Sequence, residues 1–293
     1  MKSLKHIFFI CVLITAAISC KKEQAPENNN TTPPPAGPNL IFKFKFDSTQ
    51  VRLDNFGNNS TVPAGNAAQS PVFQKMSGHY IEMIMDSLTQ IGNGEVLYHA
   101  PETTAGGSTA IDFSQSIKVG EGETFVTVPL SSIAAGTYKY LRVSLSYQKF
   151  DIKYNYLGTD YMGRLASFVG FKQYITNFMI NTQTVTVNAN KLQGYWAFET
   201  QGQVFEGQSA GTTVPNPIAA SSPIPAGSCL VTGKFPTPFT ITGSETEDII
   251  IIISLSTNKS FEWEDDDLDG KYSPAAGDTV VDMGLRGLIP IIQ

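Results

Sequence analysis

The 293-residue chain predicts an all-β fold: an elaborated antiparallel β-sandwich, with an immunoglobulin-like arrangement as one form it can take. Three observations carry this. Apolar and polar residues alternate with period two in many short runs, which puts one face of each run in a core. Turn formers separate the runs, with 25 Gly and 17 Pro in the chain, and short strands between frequent turns are the mark of a sandwich. Charged residues make up only 16% while there are 18 Phe and 11 Tyr, a mix that fits half-buried pleated sheets better than helices. No internal repeat, heptad or long amphipathic helix is visible. The Cys…Trp…Cys pattern of antibody domains is absent.

Leu40–Phe46 alternates clearly, with Leu40, Phe42, Phe44 and Phe46 on one face and Ile41, Lys43 and Lys45 on the other. Residues 47–70 are turn-rich, and Leu53 and Val62 are the residues expected to pin them. His79–Met85 reads as a strand with His79, Ile81, Met83 and Met85 on one side. Gly94–Ala100 and Phe125–Pro129 follow as short strands. Leu130-Ser131-Ser132-Ile133-Ala134-Ala135-Gly136-Thr137-Tyr138 resembles the L-x-x-I/V-x-A-G-x-Y pattern of secreted β-sandwich domains, where one strand closes and the next begins. In Lys139–Tyr147 the pattern sends Leu141, Val143, Leu145 and Tyr147 to the core and Tyr140, Arg142, Ser144 and Ser146 the other way. Phe150–Tyr156, Arg164–Phe178, Thr184–Val187 and Tyr195–Phe205 are read as strands. Residues 209–228, rich in Pro, Ala, Ser and Thr, form a long loop. Phe239–Ile241 begins another strand. Asp248–Leu255 is apolar without alternation, so it belongs inside a sheet, covered on both faces. Thr279–Met283 and Leu288–Ile292 end the chain, completing the sheets that the first strands open.

The N-terminus gives an address. Lys2 and Lys5 precede the apolar run Ile7–Ile18, which has the length of a signal-peptide core and falls short of the roughly 20 residues that span a bilayer. It ends in Ala16-Ala17-Ile18-Ser19-Cys20. This resembles the lipobox of bacterial lipoproteins, with Ala17 where that family prefers Leu. The resemblance implies cleavage after residue 19, a diacylglycerol on Cys20 and further acylation of the new amine, and two or more chains anchor stably where one does not. Residues 20–38 are polar and rich in Pro and Asn, a composition that cannot bury enough surface to fold and that acts as a spacer. Lys21-Lys22-Glu23 resembles the surface-export signals of Bacteroidota lipoproteins. The expected organisation is a signal peptide at 1–19, a lipidated tether at 20–38 and a β-sandwich domain at 39–293. Its expected place is the outer membrane, lipid-anchored and facing the cell surface or the periplasm.

Composition excludes some partners. The 20 Lys+Arg less Lys2 and Lys5 leave 18 against 26 Asp+Glu, a net charge near −8 in the processed chain. That argues against nucleic acid, which needs basic patches. Cys11 leaves with the signal peptide, so a lipidated Cys20 leaves Cys229 alone and no disulfide framework forms.

One loop carries metal-ligating chemistry. Asp265, Asp267, Asp269 and Gly270 have the D-x-D-x-D-G spacing of calcium loops. Alternating carboxylates turn inward around a hard cation, and the glycine permits the turn that brings the Lys271 carbonyl to it. The helix-flanked version needs an acid at the twelfth position, which here is Ala276. Asp278 stands two residues later and is the expected closing ligand. The stretch resembles the calcium loops of secreted bacterial β domains, which lie between strands. The expectation is one structural calcium on Asp265, Asp267, Asp269, Lys271 and Asp278, fixing Ile249–Leu255 against Thr279–Met283.

Other constellations are thinner. His79 with Met83 and Met85 on one strand face is a soft donor set suited to copper, and such a layout resembles methanobactin-partner-type copper proteins. Trp196 and Trp263 are candidates for stacking on sugars. Glu82, Glu95, Glu102 and Glu199 are carboxylates that an envelope hydrolase would need, without spacing that singles out a pair; no Gly-x-Ser-x-Gly is present. The reading is therefore a lipid-anchored binding or structural module whose partner is a glycan, a peptide or an envelope protein. A copper-binding lipoprotein and a hydrolase are the alternatives.

Overall fold

The computed structural model describes residues 37–293 apart from 55–56, 210–224 and 284. The signal peptide, Cys20 and the tether as far as residue 36 lie outside the described residues, as does most of the 209–228 loop. Among the described residues the strands are β1 (Asn39–Asp47), β2 (Asn66–Gln69), β3 (Val72–Ile84), β4 (Glu95–His99), β5 (Glu102–Thr103), β6 (Ala110–Asp112), β7 (Thr124–Pro129), β8 (Gly136–Tyr156), β9 (Thr159–Phe168), β10 (Lys172–Met179), β11 (Thr184–Leu192), β12 (Tyr195–Thr200), β13 (Gln203–Gln208), β14 (Cys229–Ile241), β15 (Ile249–Ser256), β16 (Phe261–Glu264), β17 (Thr279–Met283) and β18 (Arg286–Ile292). The class is all-β, as the alternation requires. No helix among them is long and apolar enough to cross a membrane.

The 21-residue β8 organises the rest. On one side it pairs with β3; on the other it pairs first with β14 and then, from Tyr147 onward, with β9. The resulting sheet runs β13-β12-β9-β8-β3-β4, with β14 beside β8. Three register shifts interrupt the β3–β8 ladder between Phe73 and Tyr80. Bulges bend a strand and raise its twist, and this sheet curls into a half-barrel. At Gly78 a Cβ would stand 3.1 Å from the Phe125 ring, so glycine there lets that ring pack against the strand.

Three smaller sheets cover the curled one. The sheet β18-β15-β1-β7 contributes Leu40, Phe42, Phe44, Phe125, Ile251, Ile253, Leu255 and Leu288 to the main core. Met76, Ile81, Met83, Leu141, Val143, Leu145 and Phe235 meet them from the large sheet. The sheet β11-β10-β6-β5 packs Phe113, Ile175, Phe178 and Val185 against Tyr147, Phe168, Tyr195 and Ala197. The sheet β17-β16-β2 sets Phe261 and Trp263 on Phe150, Ile152 and Leu165. β8 thus supplies residues to all three clusters. Apolar burial contributes roughly 25 cal/mol per Å², so these interfaces, with no disulfide among the described residues, hold the fold.

Several sequence expectations change in detail. Lys139–Tyr147 and Phe150–Tyr156 are one strand. Arg142, Ser144 and Ser146, expected to face away from the core, are buried: Arg142 donates to the Thr89 carbonyl in the turn after β3, and the Val169 and Gly170 amides close on the Ser146 carbonyl. Tyr147 enters the second cluster, not the one that takes Leu141, Val143 and Leu145. Arg164–Phe178 is two strands, broken at Val169–Phe171, and Tyr195–Phe205 is a hairpin turning at Gln201-Gly202, both with positive φ. Met85 lies just beyond β3. The chain's first and last strands do share a sheet: β15 lies between β1 and β18, pairing in parallel with β1 and antiparallel with β18. Leu53 is buried, as expected, but Val62 is only half-buried; the stronger pin on residues 47–70 is a buried ion pair between Arg52 and Glu262 of β16.

Candidate metal centre

The acidic loop joins β16 to β17, not Ile249–Leu255 to Thr279–Met283 as the sequence suggested; β17 pairs with β16, and β15 has β1 and β18 as its neighbours. Glu264 pairs with Thr279 as the last rung of the hairpin. Asp265 and Asp278 are therefore the first residues past it and meet across its mouth. Asp267 joins them, and one carboxylate oxygen from each of the three lies within 4.8 Å of the others.

The loop's own backbone supports this arrangement. Asp278 accepts from the amides of Asp266 (3.0 Å) and Ser273 (2.6 Å). Asp265 Oδ2 accepts from Gly270 N–H at 3.0 Å, and Gly270 has φ +74°, in the left-handed region that glycine enters freely. Asp265 Oδ1 is buried with no hydrogen-bond partner among the described residues. Such an atom costs about 1–3 kcal/mol unless something fills the gap. Beneath the loop, Trp263 packs on Tyr272 (ring centroids 5.6 Å), and Tyr272 on Phe261 (5.2 Å). Burial, with the Asp278 charge, pushes the Tyr272 hydroxyl up to about 12. Tyr272 also gives its carbonyl to the Asn155 amide at the end of β8, at 2.7 Å. Asp267 is held above the usual carboxylate range by desolvation and by the charges of Asp269, Asp278 and Asp265.

Asp269 stands outside the trio. Its Oδ1 turns back to the Lys271 amide at 2.7 Å, a local turn of the kind short polar side chains favour. Lys271 meets the loop through that amide, and its ammonium lies 4.0 Å from Asp160.

Trp263 offers no face to a ligand, while Trp196 is half-buried. Trp263 is 1% exposed, because it forms the floor of the loop. Trp196 covers the backbone of Gly207, where a Cβ would come within 2.4 Å of its ring, and its Nε1–H donates to Ser209 Oγ at 3.1 Å.

The copper set of His79, Met83 and Met85 also dissolves. Met83 lies in the main core and Met85 packs beside Gly136 at the sheet's end. His79 is fully buried, with its Nε2 3.1 Å from Glu102 Oε1 and its ring centroid 4.6 Å from that of His99. Burial holds the His79 imidazole below its ordinary value, with the His99 charge acting the same way and Glu102 opposing both. The bond to His79 holds Glu102 below the usual glutamate range. Sequence reading missed this trio, since only His99-x-x-Glu102 is local and His79 arrives through the β3–β4 pairing.

Of the other glutamates, Glu82 is buried and accepts from Gly92 N–H (3.0 Å) and Gly94 N–H (2.6 Å), tying down the turn before β4. Burial raises its pKa against the pull of those amides and of Arg142. Glu199 accepts from the amides of Asn181, Thr182 and Gln183 and from the Thr182 hydroxyl. Burial opposes its charge, but these donors outweigh it and hold the carboxyl below its ordinary value. These two carboxylates thus bind turns of the chain itself. Glu95, half-buried at the start of β4, carries a charge that adds to burial in raising Tyr138.

A cleft of about 540 Å³ opens where β10 meets β8, lined by Lys75, Lys118, Lys149, Phe113, Tyr147 and Met179 among others. Lys75 pairs with Glu123 and Lys118 donates to the Phe113 and Ser116 carbonyls. Lys149 is half-buried, and burial with the charges of Arg164 and Lys75 pushes its pKa down. No known protein family, curated protein or solved structure matches the chain.

Proposed function

We propose that this protein is a lipid-anchored module of the bacterial cell envelope, binding or structural in role, whose β16–β17 loop holds one calcium ion. The observation that carries the calcium reading is the convergence of Asp265, Asp267 and Asp278 within 4.8 Å, with the buried Asp265 Oδ1 left without a partner. Oxygen-only donors suit a hard cation. Three carboxylates in one small volume repel one another, and a divalent ion reverses the sign of that interaction. The Lys271 carbonyl and water complete the shell on this reading. The role is structural, because the ion would lock the mouth of a hairpin whose floor is Trp263.

The anchor rests on the lipobox resemblance at Cys20 and places the domain on the outer membrane, at the cell surface. The partner on this reading is a glycan, a peptide or another envelope protein. On this reading the cleft lined by Lys149 seats an acidic group of the partner.

Chelation of the purified full chain tests the calcium site. Loss of calcium lowers the melting temperature, and calcium restores it where magnesium does not. At a calcium concentration of about 100 Kd the linkage contributes about 2.7 kcal/mol. A melting curve indifferent to chelator sinks the calcium reading. Intact mass of the protein from its host tests the anchor: the expected mass is that of residues 20–293 plus acyl chains, and an unmodified Cys20 rules it out.

A further inference from the structure

The second polar cluster shares no residue with the acidic loop. β3 carries His79 and pairs with β4 so that Tyr80 stands opposite His99. The His79 carbonyl takes the Ala100 amide at 2.7 Å, which fixes the turn between β4 and β5. That turn returns Glu102 to the same spot, three residues after His99. The result is two imidazoles and one carboxylate held by paired backbone, with one ligand atom from each lying within 4.8 Å of the others.

The spacing suits three ligand atoms around one ion. Tetrahedral zinc with bonds of about 2.0–2.1 Å sets its ligand atoms about 3.3 Å apart. Here His79 Nε2 lies 3.1 Å and His99 Nε2 3.7 Å from Glu102 Oε1. The third edge closes by rotation of His99, the most exposed of the three side chains at 41%. His79 is fully buried between the Phe171 and His99 rings, and its Nδ1 has no partner among the described residues. Its ring therefore makes its one polar contact inside this cluster.

We propose that His79, His99 and Glu102 form a site for a borderline divalent transition metal, zinc before others, with three protein ligands and a fourth position open to solvent on the side of His99 and Glu102. Imidazole with carboxylate suits such an ion and not calcium, whose shell is built of oxygens. Two neutral imidazoles and one carboxylate leave the bound ion with a net positive charge, so the open position takes water or an anionic group of a ligand.

Zinc titration of the chelator-treated full chain, with calcium in excess to occupy the acidic loop, reads the site directly. The expected result is one zinc bound, and with cobalt(II) the visible bands of a tetrahedral ion. His99→Ala and Glu102→Gln alter exposed or part-exposed side chains and leave the core intact. Each is expected to weaken zinc binding at least about tenfold, since even supporting residues around a metal are worth that much. Asp278→Asn is expected to leave it unchanged. The proposal is overturned if the wild-type chain takes up no zinc or if either His99→Ala or Glu102→Gln binds it as tightly as wild type.

Discussion

The acidic trio and the histidine trio are built in opposite ways. Asp265, Asp267 and Asp278 come from one loop of the chain, are all oxygen donors, and are organised by amides within that loop. His79, His99 and Glu102 come from two stretches twenty residues apart, mix nitrogen with oxygen, and are organised by the pairing of β3 with β4. The first is a local device placed on a hairpin mouth. The second is a product of the sheet and exists only when β3 and β4 are in register. A perturbation of the loop should therefore leave the histidines in place, while any slip of β3 would scatter them.

Trp263→Ala separates the two most sharply. The indole is fully buried under the loop and contacts Phe261 and Tyr272. Its loss costs roughly 3–5 kcal/mol by the usual scale for large-to-small core changes. Because the third cluster is distinct from the main core, the cost falls on β16, β17 and the loop they carry. Urea unfolding measures the loss. Calcium affinity, read by calorimetry on the folded fraction, should fall with it while zinc uptake at His79, His99 and Glu102 stays. Equal losses at both trios would show that the two regions are one cooperative unit.

What could be read in advance follows the same division. The alternation of Leu40–Phe46 announced β1 and its buried face, because one side of that strand faces a core and the other stays wetter. The same reasoning misplaced Arg142, Ser144 and Ser146, since alternation reports polarity and cannot show that turns distant in sequence will cover the polar face. The D-x-D-x-D-G spacing located the acidic loop, being local in sequence. It could not show that Asp269 turns away to the Lys271 amide, because that depends on where the hairpin's last rung falls. The bond between His79 and Glu102 had no local signal at all. The Met residues near His79 drew attention only through strand periodicity, and the core and the end of β3 took them instead.

Glu199 supplies a third kind of acidic site, one that carries no demand for an ion. Its carboxylate is almost fully buried, yet the amides of residues 181–183 and the Thr182 hydroxyl satisfy it. Glu199→Gln keeps the shape and loses the charge, for an expected cost of about 1–2 kcal/mol, the difference between charged and neutral hydrogen bonds. The pH dependence has a definite sign. The folded carboxyl is held below its ordinary value near 4.5, so its stabilisation is fully present above that value and lost as pH falls through the lower, folded one. Urea melts should show the wild-type advantage over Glu199→Gln at neutral pH and its decline in acid. Chelator should not change that difference, in contrast to the loop. A chelator-sensitive difference would tie Glu199 to the metal instead.

The smallest expected effect makes the finest cut, between the spacing of the acidic loop and its folded geometry. By spacing, Asp269 ranks with Asp265 and Asp267 as a ligand, and Asp278 closes the loop two residues past the usual twelfth position. By geometry, Asp278 belongs to the trio and Asp269 serves the turn at Lys271. Asp269→Asn keeps an oxygen to accept from that amide and removes only a charge at the rim, where solvent screens it. Its calcium affinity should drop slightly and its melting temperature hardly move. Asp278→Asn, buried and bonded to two amides, should lose most calcium binding while remaining folded. Calorimetry on the two variants ranks them directly. If Asp269→Asn proves the more damaging, the ion sits further round the loop, toward Lys271, and the hairpin mouth is closed by Asp278 for structural reasons alone.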